Sequence, residues 1–128
     1  MNVLITGGTG FVGRHLADRF LGQGHVVTLL GSRSASETSG SCRTLQADTT
    51  QPGDWQQAAA EADLIVNLAG RTIFQRWSES YKQQMHASRI RTTQNLVDAL
   101  PGNGRTVLIS TSAVGYYGDG QDTLLTEA

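Results

Sequence analysis

Cysteine and lysine are nearly missing from this chain of 128 residues: Cys42 and Lys82 are the sole representatives of their types. With one thiol, no internal disulfide can form and no thiolate-rich metal site can be assembled, so the expected setting is a reducing cytoplasm and no metal is expected. An excess of either charge is absent as well. Ten basic and eleven acidic residues leave a formal charge of −1, and so weak a field offers no general attraction to nucleic acid or to an anionic membrane. No apolar run approaches the roughly 20 residues needed to cross a bilayer. Val3–Ile5 is too short for a secretory core and has no basic flank. Internal repeats are missing too, and Ser32 to Ser41 reads as one exposed polar loop. What remains, at 38% hydrophobic and 16% charged residues, is one soluble domain over residues 1–128.

The apolar residues that are present fall into a regular alternation. Asn2–Thr6 is short, β-branched and apolar, and ends at Gly7-Gly8, as a buried parallel strand does. From Phe11 to Leu21, Val12, Leu16 and Phe20 recur every four residues beside Ala17 and Leu21, which predicts an amphipathic helix ended at Gly22-Gln23-Gly24. His25–Leu30 and the weaker Arg43–Gln46 read as the second and third strands. Asp54 is expected to cap a short helix over Trp55–Glu61, with Gln57 as the reciprocal partner. Asp63–Leu68 gives a fourth strand. A long helix from Ser78 to Leu100, with Ile90, Thr93, Val97 and Leu100 as its stripe, stops at Pro101-Gly102-Asn103-Gly104 before a fifth strand over Arg105–Ser110. Strands joined by helices or long connections pair in parallel through right-handed crossovers. The expected fold is therefore α/β: a doubly wound parallel sheet of order 3-2-1-4-5, with ligands beyond the strand ends where the order reverses.

Thr6-Gly7-Gly8-Thr9-Gly10-Phe11-Val12-Gly13 sits between the first strand and the first helix. Glycines at 7, 10 and 13 suit a tight turn, a close backbone approach to a diphosphate and close helix–strand packing, and the helix N-terminus offers unpaired N–H groups to phosphate. The pattern lies in the strand–turn–helix context that a dinucleotide fingerprint requires, although a turn without a ligand also uses glycine. A triphosphate-binding loop is excluded, since its lysine is not there. Arg33 stands 20 residues past Gly13, where the group that reads the adenosine ribose belongs. An acidic residue there would accept bonds from a free 2′-hydroxyl, whereas Arg33, with Ser32, suits a 2′-phosphate, so NADP is favoured over NAD. The plainer alternative is a solvated loop arginine. The same arginine disfavours a methyltransferase, which would want an acidic ribose ligand.

TGGTGFVG, Asp48 after the third strand, NLAG at 67–70 and ISTSAVGYYG at 109–118 together resemble the extended short-chain dehydrogenase/reductase superfamily. The combination of NLAG, RW, SRIRTTQNLVDAL and STSAVGYYG resembles its atypical nucleoside-diphosphate-sugar epimerase-like branch, which includes "cell division inhibitor" homologues. The resemblance implies that Asp48 accepts a bond from the adenine amino group, that Leu68, Ala69 and Gly70 pass beside the adenosine ribose, and that Ser112 meets the reacting oxygen of the substrate. Plainer roles are a strand-end loop aspartate for Asp48 and a backbone-satisfied amide for Asn67.

Such a family reacts through a tyrosine four residues before a lysine, the cation lowering the phenol pKa while nicotinamide moves a hydride. Here Ser78 lies four residues before Lys82, so the pair is missing, and Tyr116 and Tyr117 belong to the loop after the fifth strand. Family members are about twice as long or more, so the chain is expected to stop before the sixth strand and the substrate-binding part, either as a fragment or truncated product or with a partner supplying the rest. The fifth strand and part of an apolar helix face are then uncovered, which predicts association, a homo-oligomer among its forms, or poor solubility. Two functions follow as expectations: the cofactor half of an NADP-dependent oxidoreductase or sugar-nucleotide epimerase, or an NADP(H)-binding sensor or scaffold without turnover. Arg71, Arg76 and Arg89 are candidates for an anionic substrate or for solvated charges, His86 for a surface position, and Trp55 and Trp77 for packing anchors.

Overall fold

Val3, Leu4 and Ile5 are each at most 1% exposed, so β1 (Asn2–Thr6) is covered on both faces, the position its apolar run demands. The computed structural model describes residues 1–32, 42–112 and the single positions 118, 122 and 126. Arg33 and the rest of 33–41, together with Tyr116 and Tyr117, lie outside the described residues.

On one side β1 pairs in parallel with β2 (Val26–Gly31), which in turn pairs with β3 (Cys42–Gln46). On the other side it pairs with β4 (Leu64–Asn67), and β4 with β5 (Val107–Ser110). The order is β3-β2-β1-β4-β5, as the sequence pattern requires. Three helices connect the strands: α1 (Phe11–Gly22), α2 (Gln56–Ala60) and α3 (Glu79–Ala99). The two-residue alternation of the strands then divides the core. Val3, Ile5, Val27, Leu29 and Val66 pack with Ala17 of α1. Leu4, Leu30 and Ile65 face the other way, onto Trp55, onto Ala59 of α2 and onto Leu96 of α3. Each fully buried aliphatic side chain stabilises by about 1.5–3 kcal/mol, and a sheet covered on both faces is the doubly wound arrangement.

Local chemistry sets the helix ends. Gly24 takes φ +79°, and the amides of Gly24 and His25 close onto the carbonyls of Leu21 and Phe20 at 2.9 and 3.1 Å, terminating α1. The Ser78 hydroxyl accepts from the Tyr81 amide at 3.1 Å and starts α3.

Four expectations need correction. The buried stripe of α1 begins at Gly13, not at Val12, which is 54% exposed, because only a residue without a side chain fits against the turn. In α3 the buried face is Met85, Thr92 and Leu96. Ile90 and Val97 face outward, since the Thr92 hydroxyl bonds that of Thr49 at 2.8 Å and draws that face inward. Asp54 does not cap α2: Gln56 Oε1 accepts from the Gly53 amide at 3.1 Å, while Gln57 bonds Glu61 instead. Trp55 is buried as expected, but Trp77 is exposed, its indole donating to the Ile73 carbonyl of its own loop at 2.9 Å.

On β5, Val107 and Ile109 are exposed. They stand in register with Leu64 and Val66, which pack on the α1 side, where α1 lies mainly over β1 and β2.

Candidate functional site

The glycine turn is dictated by backbone contact. Gly7 has φ +65°, and a Cβ there would meet the Leu68 carbonyl oxygen at 2.8 Å, so both its conformation and its neighbour require glycine. At Gly13 a Cβ would lie 2.7 Å from three backbone atoms of Gly7 and Gly8. Gly8 is equally crowded, by the Ile5 carbonyl and the Leu29 side chain. Gly10 is less so: its nearest neighbour is the Gly7 carbonyl at 3.1 Å. Gly10 is also the residue before α1, where it offers no side-chain cap, so the first amides of α1 stay open to an external acceptor.

A cavity of about 830 Å³ opens beside this turn at the carboxyl ends of the strands, where the strand order reverses. Of the residues singled out from sequence, Gly7, Thr9, Gly10, Ser32, Asp48, Leu68, Ala69 and Gly70 line it. Thr6, Gly8, Phe11, Val12 and Gly13 do not. Thr6 is fully buried, and its hydroxyl donates to Asn67 Oδ1 at 2.6 Å and accepts from the Ala69 amide at 3.2 Å. Phe11 is 82% exposed and packs on the His15 ring at 4.7 Å, and its side chain and that of Val12 lie outside the cavity lining.

Asn67 joins the elements around the cavity. Its Oδ1 accepts from Thr6 and from the Ala69 amide, and its Nδ2 donates to Thr93 Oγ1 at 3.0 Å and Ser110 Oγ at 3.2 Å. All four positions of the amide are thereby used. The Thr111 hydroxyl and amide both donate to the Asn67 carbonyl. Ser110 and Thr111 are thus engaged within the sheet edge, and Ser112, exposed beyond them, does not line the cavity.

Asp48 Oδ1 accepts from the Thr50 amide at 3.0 Å and the Thr50 hydroxyl at 2.7 Å. These bonds, first the hydroxyl and then the amide, with the nearby charge of Arg71, hold its carboxyl below the usual carboxylate range against a smaller opposing effect of burial. The group is an anion with Oδ2 left over, suited to accept from an amino group.

The opposite wall was not found from sequence. Thr72, Gln75, Tyr81, Gln84, Ser88 and Thr92 also line the cavity. Tyr81 donates its phenol to the Thr72 carbonyl at 2.7 Å. Ser88 Oγ accepts from the Arg71 amide at 3.0 Å, and Arg89 Nη2 donates to the Arg71 carbonyl at 3.2 Å. The Arg89 guanidinium lies against Gly70, where a Cβ would stand 3.0 Å from Cζ. The signal available was the 3–4-residue spacing of positions 81, 84, 88 and 92, which in sequence reads as a polar outer face. Lys82 points elsewhere and pairs with Glu79 at 2.7 Å.

Fold and turn together define a Rossmann-type nucleotide-binding fold. The chain belongs to the NAD dependent epimerase/dehydratase family, which matches residues 3–128. It is 40% identical over 130 residues to the epimerase family protein YfhF of Bacillus subtilis, a match covering 99% of this chain and 42% of that protein. Among solved structures it is similar to human epimerase family protein SDR39U1 (isoform 2) with NADPH: 31% identity, TM-score 0.64, 91% of this chain and 38% of that one. MoeE5 in complex with UDP-glucuronic acid and NAD shares the fold at TM-score 0.82 and 24% identity, over 99% of this chain and 41% of that one. The chain thus spans about two fifths of the length of the relatives it matches.

Proposed function

We propose that this chain is the NADP(H)-binding half of a short-chain dehydrogenase/reductase-type enzyme, an oxidoreductase or sugar-nucleotide epimerase. The observation that carries the reading is one continuous cavity running from Gly7, Thr9 and Gly10, just before the start of α1, to Asp48 and the Leu68–Gly70 segment. A nicotinamide dinucleotide suits those groups: the free amides of Phe11–Gly13, beside the cavity, suit the diphosphate, Ser32 the ribose and Asp48 the adenine amino group, while the Gly10 amide is spent on the Gly7 carbonyl. When bound, the cofactor supplies a hydride acceptor or donor. Ser112, at the end of β5, is the residue proposed to orient the reacting oxygen of a small-molecule substrate, with a nucleotide sugar as the favoured class. The NADPH named with the human relative, and Arg33 at the sequence position of the ribose reader, support NADP over NAD. A cytoplasmic location agrees with the single cysteine, and among the described residues no helix is long and apolar enough to cross a membrane.

The alternative reading is a dinucleotide-binding sensor or scaffold without turnover; Lys82, paired with Glu79 and preceded four residues earlier by Ser78, forms no Tyr-x-x-x-Lys pair, and the relatives continue well past the length matched here. Calorimetric titration tests the shared premise. NADPH is expected to bind more tightly than NADH, with Arg33→Asp weakening NADPH selectively; no heat and no change in melting temperature with either would end the dinucleotide reading. Hydride transfer to a carbonyl or nucleotide-sugar panel, in the full-length context of the relatives, separates enzyme from sensor.

A further inference from the structure

Two neighbouring residues of α3 are spent on the backbone of one loop residue. Ser88 Oγ accepts the Arg71 N–H at 3.0 Å and is itself fixed by donating to the Met85 carbonyl at 2.8 Å. Arg89 donates to the Arg71 carbonyl at 3.2 Å and to the Met85 carbonyl at 3.4 Å, and it lies flat on Gly70 because that residue has no Cβ. Both polar backbone groups of Arg71 are therefore held from the same helix turn. A surface loop whose only task was to connect β4 to α3 would have water for those groups.

The residue so fixed lines the cavity with Gly7, Thr9, Gly10, Ser32 and Asp48. Arg71 and Asp48 line the same cavity, and the Arg71 charge is the smallest of the influences lowering the Asp48 carboxyl. Yet among the described residues the one ion pair is Lys82–Glu79, so the Arg71 guanidinium, with five donors, is committed to no described carboxylate. Arg89, the other sequence candidate for an anion, is occupied with carbonyls, and it is absent from the cavity lining.

We propose that Arg71 is a ligand contact, a cation at the cavity that binds a phosphoryl oxygen of the dinucleotide, with Ser88 and Arg89 as its positioning residues. It rests on the dinucleotide reading above. A guanidinium presents paired donors matched to phosphate, and a charge-assisted bond is about twice as strong as a neutral one. The phosphoryl group comes either from the diphosphate or from a 2′-phosphate, both of which belong to the ligand class this cavity suits.

Titration of wild type, Arg71→Met and Arg71→Lys with NADPH and with NADH tests this, at two salt concentrations and with melting temperatures as folding controls. Arg71 is exposed, so both variants are expected to melt as wild type does. Arg71→Met is expected to weaken NADPH by roughly tenfold or more and to flatten the salt dependence of binding, with Arg71→Lys recovering part of both. A loss confined to NADPH identifies the 2′-phosphate as the partner; an equal loss for NADH identifies the diphosphate. Unchanged NADPH affinity in Arg71→Met, or a Lys variant as weak as Met with an unaltered salt slope, overturns the assignment. Failure of wild type to bind either dinucleotide is a distinct result, which removes the functional reading itself.

Discussion

Gly7, Gly8 and Gly13 press against backbone atoms of the turn and its neighbours, whereas Gly70, on the far side of the cavity, presses against the end of the Arg89 side chain. The two walls are built from different material. The turn side is polypeptide packed on polypeptide, with a φ at Gly7 that disfavours any other residue. The α3 side is held by Ser88, Arg89 and Tyr81, side chains reaching across to loop carbonyls and amides. Backbone cannot rotate out of the way, so the first wall has one solution. Side chains can re-pack, so the second can be altered in ligand preference at little cost in stability.

The same substitution made on each side measures this difference, and Gly13→Ala has the largest expected effect. Alanine in a helix is ordinarily worth about 1 kcal/mol over glycine, but a Cβ 2.7 Å from three backbone atoms turns the sign, with overpacking costs of about 1–3 kcal/mol. Urea unfolding is expected to show a net loss of about 1 kcal/mol, rising to about 2 kcal/mol at the upper end of the overpacking cost, and NADPH binding is expected to vanish. Gly22→Ala, in the same helix with nothing within 4 Å of its Cβ, is expected to gain about 0.5 kcal/mol. A Gly13→Ala protein as stable as wild type would mean that the turn is not close-packed.

Gly70→Ala is expected to be milder. Its Cβ meets Arg89 Cζ at 3.0 Å, and that guanidinium sits at the end of an exposed side chain. Stability is expected to change by less than about 0.5 kcal/mol. The clamp on Arg71 loosens, however, and NADPH affinity is expected to fall about threefold, the equivalent of one modest hydrogen bond. Calorimetry beside urea unfolding separates the two quantities. A loss of stability matching that of Gly13→Ala would erase the distinction between the walls.

That distinction also explains what could be read from residues alone. The β1–turn–α1 unit is contiguous: the β-branched run Val3–Ile5, the glycines and the helical spacing lie within 22 residues, and each signals locally. The strand order followed from connection lengths. The α3 wall depends on pairs 17 and 18 residues apart, Arg71 with Ser88 and with Arg89, and on Asn67 drawing together positions 6, 69, 93 and 110. Nothing in local composition reports such bonds, because polar residues at helical spacing look like a solvated face. The slip from Gln56 to Gln57 in the α2 cap has a smaller cause of the same kind, since two adjacent glutamines offer two registers and only packing of Trp55 chooses between them.

Asp48 sharpens the comparison with the smallest expected effect. Its carboxyl is held below the ordinary value of 3.8, first by the Thr50 hydroxyl, then by the Thr50 amide and the charge of Arg71. A lowered folded value means that the carboxylate adds stability above the unfolded value, and that this contribution is lost as pH falls below about 3.8 and through the folded value. The group is exposed, so solvent screening keeps the contribution within about 0.5 kcal/mol. Asp48→Asn retains an acceptor for Thr50 but not the charge, so its deficit relative to wild type is expected at pH 7 and is expected to shrink toward zero in acid. Amide spectra recorded through the same titration carry the spatial part of the test. The Thr49 and Thr50 signals are expected to move with protonation of Asp48, while those of Gly7 to Gly10, a stretch without a titratable side chain, are expected to hold their positions until the chain unfolds. Movement of both sets together at the same pH would show that the two walls respond as one unit, and that the division drawn from their contacts does not extend to their electrostatics.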